Sequence, residues 1–211
     1  MFIVFMFRDR TEAGKQLVAR LKDEVGKEAV VLGIPRGGVV VGREISQALC
    51  LPLDCLVIKK IPTPDGKVTI GAVGEGGIVV WNEALCRRLE VPVGYQQEVV
   101  KKKISEFERK EGDFREGRPL AEIIGKTVIL VDDGIATGAT IKAAIKVIRN
   151  FKPRELIVAV PVVSLDELPA IKEAADRFVY LKSPEMFFSV DQFYEDFKQP
   201  TDEEVRKILN N

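Results

Sequence analysis

Two adjacent carboxylates, Asp132 and Asp133, follow a run of apolar residues at 128–131. Such a run is typical of a buried strand in a parallel sheet. A Thr-Gly-Ala-Thr turn at 137–140 comes next, and residues 141–148 then have apolar side chains at helical spacing. Carboxylates accept hydrogen bonds from vicinal hydroxyls, while the amides and hydroxyls of a turn that opens a helix bind phosphate. The spacing therefore predicts a site for a phosphorylated sugar.

Two other kinds of acidic site share part of this pattern. The magnesium-binding aspartate of a nucleoside triphosphatase also ends an apolar strand, but it requires a G-x-x-x-x-G-K-[ST] loop. Gly125 and Lys126 do not complete such a loop, because Leu120 stands where its first glycine would be. The acidic pair of a phospho-receiver domain belongs to an early strand, whereas this pair lies past the middle of the chain. The turn at 137–140 favours the sugar phosphate, although an ordinary strand-end turn also contains aspartates.

A second loop with phosphate-binding chemistry lies near the start of the chain. Apolar residues at 29–34 predict a strand, and residues 39–49 predict a helix. Between them, Gly37 and Gly38 offer backbone amides, and the Arg36 guanidinium can bind two phosphate oxygens at once. The alternative is an ordinary Pro-Gly turn with an exposed arginine.

Two lysines, Lys59 and Lys60, follow a predicted strand at 53–58. Ligands of doubly wound sheets bind at the carboxyl ends of the strands. One of these lysines, with Lys60 preferred, is therefore a candidate for a phosphate contact. The alternative is plain exposure to solvent.

Alternating strands and helices predict a single α/β domain with a doubly wound, mostly parallel sheet. We predict an insertion at 61–93 that carries short antiparallel strands, a mobile loop at 110–119, and an aromatic C-terminal segment at 183–211. Helices are predicted at 10–25, 39–49, 83–89, 95–109, 141–148, 166–175 and 201–209, and core strands at 29–34, 53–58, 127–131, 155–163 and 178–181.

Composition excludes several classes of function. Lys and Arg together number 32, as do Asp and Glu, so the zero net charge predicts no nucleic-acid footprint. Histidine, the commonest general base, is absent. Three cysteines without a C-x-x-C pair predict free buried thiols and a cytoplasmic protein. Residues 1–7 lack the length and basic leader of a signal peptide and predict a first strand or a hydrophobic clasp, and no stretch is long enough to span a membrane.

The stretch at 128–140 resembles the phosphoribosyl-pyrophosphate signature of type I phosphoribosyltransferases. Gly134 is the one departure, since the family usually has an aliphatic residue there. The whole chain, including Lys-Lys-Ile-Pro, Gly-Ala-Val-Gly-Glu-Gly-Gly and Tyr-Glu-Asp-Phe, is similar to a bacterial and archaeal group of phosphoribosyltransferase-like proteins. The resemblance implies transfer of ribose 5-phosphate from phosphoribosyl pyrophosphate to a nitrogenous base, with release of pyrophosphate. It also implies a homodimer and Mg²⁺ held mainly by substrate oxygens and water.

The resemblance assigns roles to individual residues. Arg36, Lys60, Asp132 and Asp133 would be catalytic. A cis peptide bond is expected at Arg36–Gly37. Pyrophosphate would be bound by Arg36, Gly37, Gly38 and Lys60, and ribose 5-phosphate by Asp132, Asp133, Ala136, Thr137, Gly138, Ala139 and Thr140.

Two further segments have expected roles. The loop at 110–119 stands where the family has a catalytic lid, which excludes water and places cations over the departing pyrophosphate. For any single lid candidate a solvated charge is the commoner role; the candidates are Arg109, Lys110, Arg115 and Arg118. An aromatic set could stack on the base or fill the core, the commoner role of such side chains; its members are Phe187, Phe188, Tyr194 and Phe197.

The acceptor base stays open. In the hypoxanthine/guanine branch of the family, an aspartate that handles the purine proton stands at the position of Ala136. An alanine there disfavours that branch and leaves adenine-like, orotate-like or other relatives. Two alternatives to this enzyme also stay open: a regulatory protein that binds phosphoribosyl pyrophosphate or nucleotides without efficient catalysis, and a phosphorolytic enzyme that acts on a nucleoside or nucleotide.

Overall fold

The structure is a computed structural model that describes residues 7–23 and 25–210. Helices and strands alternate along most of the chain. In chain order they are α1 (Arg10–Leu21), β1 (Ala29–Gly33), α2 (Gly37–Leu49), β2 (Leu53–Cys55), β3 (Lys59–Pro62), β4 (Thr69–Val73), β5 (Val79–Trp81), α3 (Glu83–Arg88), α4 (Val93–Arg115), β6 (Thr127–Val131), α5 (Ala139–Asn150), β7 (Glu155–Val162), α6 (Leu168–Ala174), β8 (Arg177–Lys182) and α7 (Asp202–Leu209).

Five strands form a parallel sheet in the order β2-β1-β6-β7-β8. Along β6, Val128 and Leu130 face α5 and α6, whereas Ile129 and Val131 face α1 and α2. Every residue of β1 and β6 is buried because helices cover both faces of the sheet. The predicted α/β class with a mostly parallel, doubly wound sheet is confirmed.

A second, antiparallel sheet is formed by β3, β4 and β5, and we call it the side sheet. It packs against α4 and α7 through a separate apolar cluster. The predicted strand at 53–58 is too long, because β2 ends at Cys55 and both lysines begin β3. The apolar residues at 53–58 predict one long strand, but Leu56 packs in the core of the parallel sheet and Val57 in the core of the side sheet. The run therefore crosses between two cores rather than forming one strand.

Helix α4 is longer than predicted. It continues past Arg109 to Arg115, so residues 110–115 are helical and not part of a loop. Phe107 and Phe114 are buried on one side of this helix, and their packing outweighs the low helix propensity of Gly112. The helix ends where Glu116 adopts a left-handed conformation with φ of 52°.

Two other boundaries differ from the predictions. Helix α1 ends at Leu21 rather than at 25. Helix α6 begins at Leu168 rather than at 166, because Leu165–Glu167 form a 3-10 turn. Thr201 and Glu204 form a capping box at the start of α7.

Predictions made from composition have mixed outcomes. Cys55 and Cys86 are free and buried, but Cys50 is exposed, so burial of all three thiols was wrong. A strand or hydrophobic clasp was predicted at residues 1–7, of which residues 1–6 lie outside the described part of the chain. Phe7 is buried, and its amide donates to the Phe193 carbonyl at 2.7 Å. In the described ranges, no helix combines the length and the apolar character needed to cross a membrane.

Candidate active site

The turn after β6 surrounds a small cavity at the start of α5. Gly138 precedes the helix with φ of 66°, a conformation that favours glycine, and a Cβ there would collide with the Glu167 carboxylate. Amides of the first turn of α5 have no acceptor within the helix, so they can face a ligand. The cavity measures about 170 Å³, and its lining is formed by Lys60, Asp132, Gly134, Ile135, Ala136, Thr137, Gly138, Ala139, Thr140, Ile141 and Val190. We call it the phosphate cavity.

The two carboxylates of the acidic pair have different surroundings. Asp132 lines the phosphate cavity and accepts a hydrogen bond from the Asp133 amide at 2.9 Å. The Asp133 carboxylate instead accepts a hydrogen bond from Arg10 Nε at 2.8 Å, in an ion pair whose side chains are 4% and 16% exposed. The surroundings of the two predicted site residues therefore differ, since Asp132 faces the cavity and the Asp133 carboxylate is already paired with Arg10.

Arg10 joins this carboxylate to the C-terminal segment. Its Nη1 donates to the Lys198 carbonyl at 2.9 Å, and its guanidinium carbon lies 3.8 Å from the centre of the Phe197 ring. Sequence reasoning missed Arg10. It is 123 residues from Asp133, and an arginine in a helix gives no local signal of so distant a partner.

Electrostatics also separate the two aspartates. Burial raises the pKa of Asp132 well above its ordinary value, and the neighbouring charge of Asp133 raises it further. Burial raises the pKa of Asp133 as well, but the Arg10 guanidinium opposes that effect. A carboxyl group with a raised pKa at the wall of a cavity is a candidate functional group. That description fits Asp132.

The loop before α2 lies directly against the end of β6. A Cβ on Gly37 would collide with the Asp133 carboxylate, and one on Gly38 would lie 2.5 Å from the Val131 carbonyl. Both positions therefore require glycine. Of the two amides predicted to bind pyrophosphate, that of Gly38 already donates to the Ile34 carbonyl at 3.0 Å. The cis peptide bond is at Pro35–Arg36 and not at the predicted Arg36–Gly37.

A larger, cationic pocket adjoins the phosphate cavity. It has a volume of about 500 Å³, and Lys60 and Thr140 line both spaces. Burial lowers the pKa of Lys59, and the nearby charge of Lys110 lowers it further. The cationic pocket is lined by Ile34, Pro35, Arg36, Val57, Ile58, Lys59, Lys60, Lys110, Phe114, Thr140 and Asp202. Sequence reasoning selected Arg36, Lys60 and Lys110 but missed Asp202, because an acidic residue at the start of a helix is ordinary.

The four lid candidates lie in different places. Lys110 faces the cationic pocket, and Arg109 is exposed on α4. Arg118 donates to Asn210 Oδ1 at 2.6 Å. Arg115 is 1% exposed, and its guanidinium is therefore not a lid cation.

Arg115 instead connects the parallel sheet, the side sheet and α4. It donates to Asp54 Oδ1 at 3.0 Å and to both Glu75 carboxylate oxygens at 2.8 Å. A further bond of 2.7 Å reaches Glu111, whose pKa is raised by burial. A buried arginine requires such partners, because an unpaired charge is costly away from water.

Most of the aromatic set is structural. Tyr194 is buried and its hydroxyl donates to the Asp133 carbonyl at 2.6 Å. The rings of Phe187 and Phe193 are 5.0 Å apart. Phe188 differs, because it is 80% exposed. Of the four predicted aromatics, Phe188 is the one that is free to stack on a ligand.

The glycine at position 134, where an aliphatic residue was expected, has a steric explanation. A Cβ at this position would lie 2.6 Å from Val190 Cγ1 and 2.9 Å from Val162 Cγ1. The C-terminal segment thus crosses the turn so closely that an aliphatic side chain would not fit. Val190 also lines the phosphate cavity, so the same crossing closes one wall of the site.

Known structures resemble this fold over most of its length. The crystal structure of TT1426 from Thermus thermophilus has a TM-score of 0.87 and 37% sequence identity, and the match covers 97% of each chain. A hypoxanthine phosphoribosyltransferase from Staphylococcus aureus has a TM-score of 0.51 and 18% identity, and the match covers 86% of this chain and 77% of that chain. The second likeness concerns the fold alone.

Sequence comparison identifies the family. A Mycobacterium tuberculosis protein, provisionally named as a phosphoribosyl transferase, is 40% identical over 206 residues, which are 97% of this chain and 46% of that protein. The chain thus spans about half the length of the curated relatives it matches. Residues 9–198 match the model of the phosphoribosyl transferase domain. The predicted family is confirmed: this chain belongs to the phosphoribosyl transferase domain family.

Proposed function

We propose that this chain transfers ribose 5-phosphate from phosphoribosyl pyrophosphate to a nitrogenous base and releases pyrophosphate. The observation that carries the proposal is the pair of adjoining spaces that share Lys60 and Thr140. A substrate with a phosphate at one end and a diphosphate at the other can occupy both at once, with its sugar beside Asp132. Membership of the phosphoribosyl transferase domain family supports this pentosyltransferase reaction.

The chemistry of the two spaces suits such a transfer. Breaking the bond to pyrophosphate leaves a cationic sugar and puts negative charge on the leaving group. Arg36, Lys60 and Lys110 would stabilise that charge more strongly in the transition state than in the bound substrate. Asp132 would orient the ribose hydroxyls, and its negative charge would lie close to the cationic sugar.

Magnesium is the proposed cofactor. In the described part of the chain, no group of three or more acidic, cysteine or histidine side chains is arranged to hold a metal. Asp132 offers a carboxylate at the cavity wall, and this donor set fits an ion held mainly by substrate oxygens and water. When bound, Mg²⁺ supplies positive charge to the pyrophosphate oxygens.

The acceptor is a flat nitrogenous base other than hypoxanthine or guanine. Phe188 is exposed on the segment that carries Val190 over the turn, so it can stack on a ring that enters beside the phosphate cavity. Ala136 has no group that exchanges a proton with a purine. This favours adenine-like or orotate-like acceptors.

A regulatory role is the second candidate. The observation that favours it is the helical conformation of residues 110–115 together with the burial of Arg115. A site that binds phosphoribosyl pyrophosphate but has no lid at this position suits a sensor better than an efficient enzyme.

Labelled phosphoribosyl pyrophosphate, incubated with Mg²⁺ and a panel of nucleobases, separates the two roles. If the protein is an enzyme, pyrophosphate should be released only when one class of base is present. Tight binding without turnover across the panel, together with association with a partner protein, contradicts the enzyme and supports the sensor.

We further propose that the protein is a cytoplasmic homodimer, which family membership supports. Sedimentation at micromolar concentration should give the mass of two chains. A single species with the mass of one chain contradicts the homodimer.

A further inference from the structure

One acidic side chain lies among the cations of the cationic pocket. Asp202 is the first residue of α7, and the capping box formed by Thr201 and Glu204 fixes the start of this helix. The carboxylate lines the pocket together with Arg36, Lys110 and the two lysines of β3. Neither the sugar nor the leaving group of the proposed reaction needs a negative charge at this position.

Asp202 lies beside two of the pocket's cations. Lys110 Nζ forms an ion pair with Asp202 Oδ2, and Arg36 Nη1 lies 4.0 Å from Oδ1. Among the described residues, Oδ1 is buried but accepts no hydrogen bond. Hydrogen bonding to Lys110 lowers the pKa of Asp202, so the carboxylate is charged at neutral pH. Arg36 is therefore close to an anion without being fully bound by it.

We propose that Asp202 is an internal counter-anion of the cationic pocket, which occupies Lys110 and Arg36 in the unliganded protein and releases them when pyrophosphate binds. This inference rests on the proposed function of the pocket as the pyrophosphate site. Asp202 thereby acts as a specificity-determining residue, because an incoming anion has to compete with a carboxylate already in place.

The exposure of the ion pairs makes the exchange feasible. The side chains of Asp202, Arg36 and Lys110 are 41%, 38% and 27% exposed. Ion pairs of this exposure are weak, so a diphosphate with several negative charges can displace a single carboxylate. An anion with one charge has less of this advantage over Asp202, so the carboxylate favours a ligand with several charges.

The test is calorimetric titration of inorganic pyrophosphate into the native protein, D202N and E203Q. Asparagine keeps the size of the side chain and removes its charge. Glu203 is the matched control, because it lies on the same helical turn, pairs with Lys207 and does not line the pocket. We expect D202N to bind pyrophosphate about fivefold more tightly, the effect of one unit charge removed from a solvated site, and E203Q to bind it as the native protein does.

The outcomes separate this inference from the proposed function. Pyrophosphate binding by the native protein, with unchanged or weaker binding by D202N, overturns the inference alone. Absence of binding in all three proteins overturns the pyrophosphate site itself. A purely structural role for Asp202 predicts a lower melting temperature with unchanged affinity, whereas the counter-anion predicts that pyrophosphate raises the melting temperature of D202N more than that of the native protein.

Discussion

At the scale of single residues, the acidic pair shows how two identical, adjacent side chains acquire different surroundings. Asp132 faces the phosphate cavity, and its pKa is raised by burial and by its neighbour. Asp133 is paired with Arg10 and its backbone carbonyl accepts from Tyr194. We infer that Asp132 serves ligand binding, whereas Asp133 attaches the C-terminal segment to the sheet.

The substitution D132N should weaken phosphoribosyl pyrophosphate binding by at least about tenfold, because it removes a charged hydrogen-bond acceptor. Because the pKa of Asp132 is raised in the folded protein, the folded state binds the Asp132 proton more tightly than the unfolded chain does. The contribution of Asp132 to the free energy of unfolding therefore falls as the pH rises above 3.8, the ordinary pKa of an aspartate. We expect D132N to be more stable at neutral pH by about 1 kcal/mol and less dependent on pH, as measured by urea unfolding across that range.

The substitution D133N should have the opposite effect on stability. It leaves the Arg10 guanidinium buried without its charged partner, and breaking a buried pair in this way costs about 3 kcal/mol. Urea unfolding of D133N beside D132N measures the difference. Equal stabilities would show that the two carboxylates have equivalent surroundings, contrary to the structure.

At the scale of elements, close crossings determine which residues the site can contain. The C-terminal segment carries Val190 over Gly134 with no room for a methyl group between them. Helix α4 holds Arg115 between the two sheets, where it pairs with Asp54 and Glu75. Each contact joins segments that are distant in sequence, and Val190 also forms part of the wall of the phosphate cavity.

The close contact between Val190 and Gly134 predicts that a second substitution restores stability lost by a first. G134A should lower the free energy of unfolding by about 1–3 kcal/mol, because the added methyl group overpacks against Val190. The double variant G134A/V190A should recover part of that loss, because Val162 Cγ1 still lies 2.9 Å from the added methyl group, and V190A alone serves as the control. Unfolding energies that simply add in a double-mutant cycle would contradict the steric explanation.

The substitution R115M tests the reassignment of Arg115 from lid cation to buried ion-pair partner. Methionine leaves Asp54 and Glu75 buried without their counter-charge, so we expect destabilisation of about 3–5 kcal/mol or failure to fold. Thermal unfolding gives the measurement, with Arg109→Met on the exposed face of α4 as the control. A stable R115M protein that has lost only pyrophosphate binding would restore the lid assignment.

At the scale of the whole molecule, the sequence predicted what depends on local pattern. Apolar runs and turn residues located the parallel strands and the turn at 137–140, because period and turn chemistry are local properties. Lys59 and Lys60 were predicted to follow a strand at 53–58, whereas they begin β3, because the apolar run before them crosses between two cores. Arg10 and Asp202 were missed because their partners are distant along the chain. Long-range pairing leaves no signal in one sequence.

The central claim is that one ligand spans the phosphate cavity and the cationic pocket. Lys60 lines both spaces, whereas Lys67 lies next to the side sheet with an 80% exposed side chain and is a matched control. Calorimetric titration of phosphoribosyl pyrophosphate in the presence of Mg²⁺ should show saturable binding by the native protein and by K67Q. Binding by K60Q should be at least about tenfold weaker. Native protein that does not bind this ligand, or K60Q that binds it as tightly as K67Q, would contradict the claim.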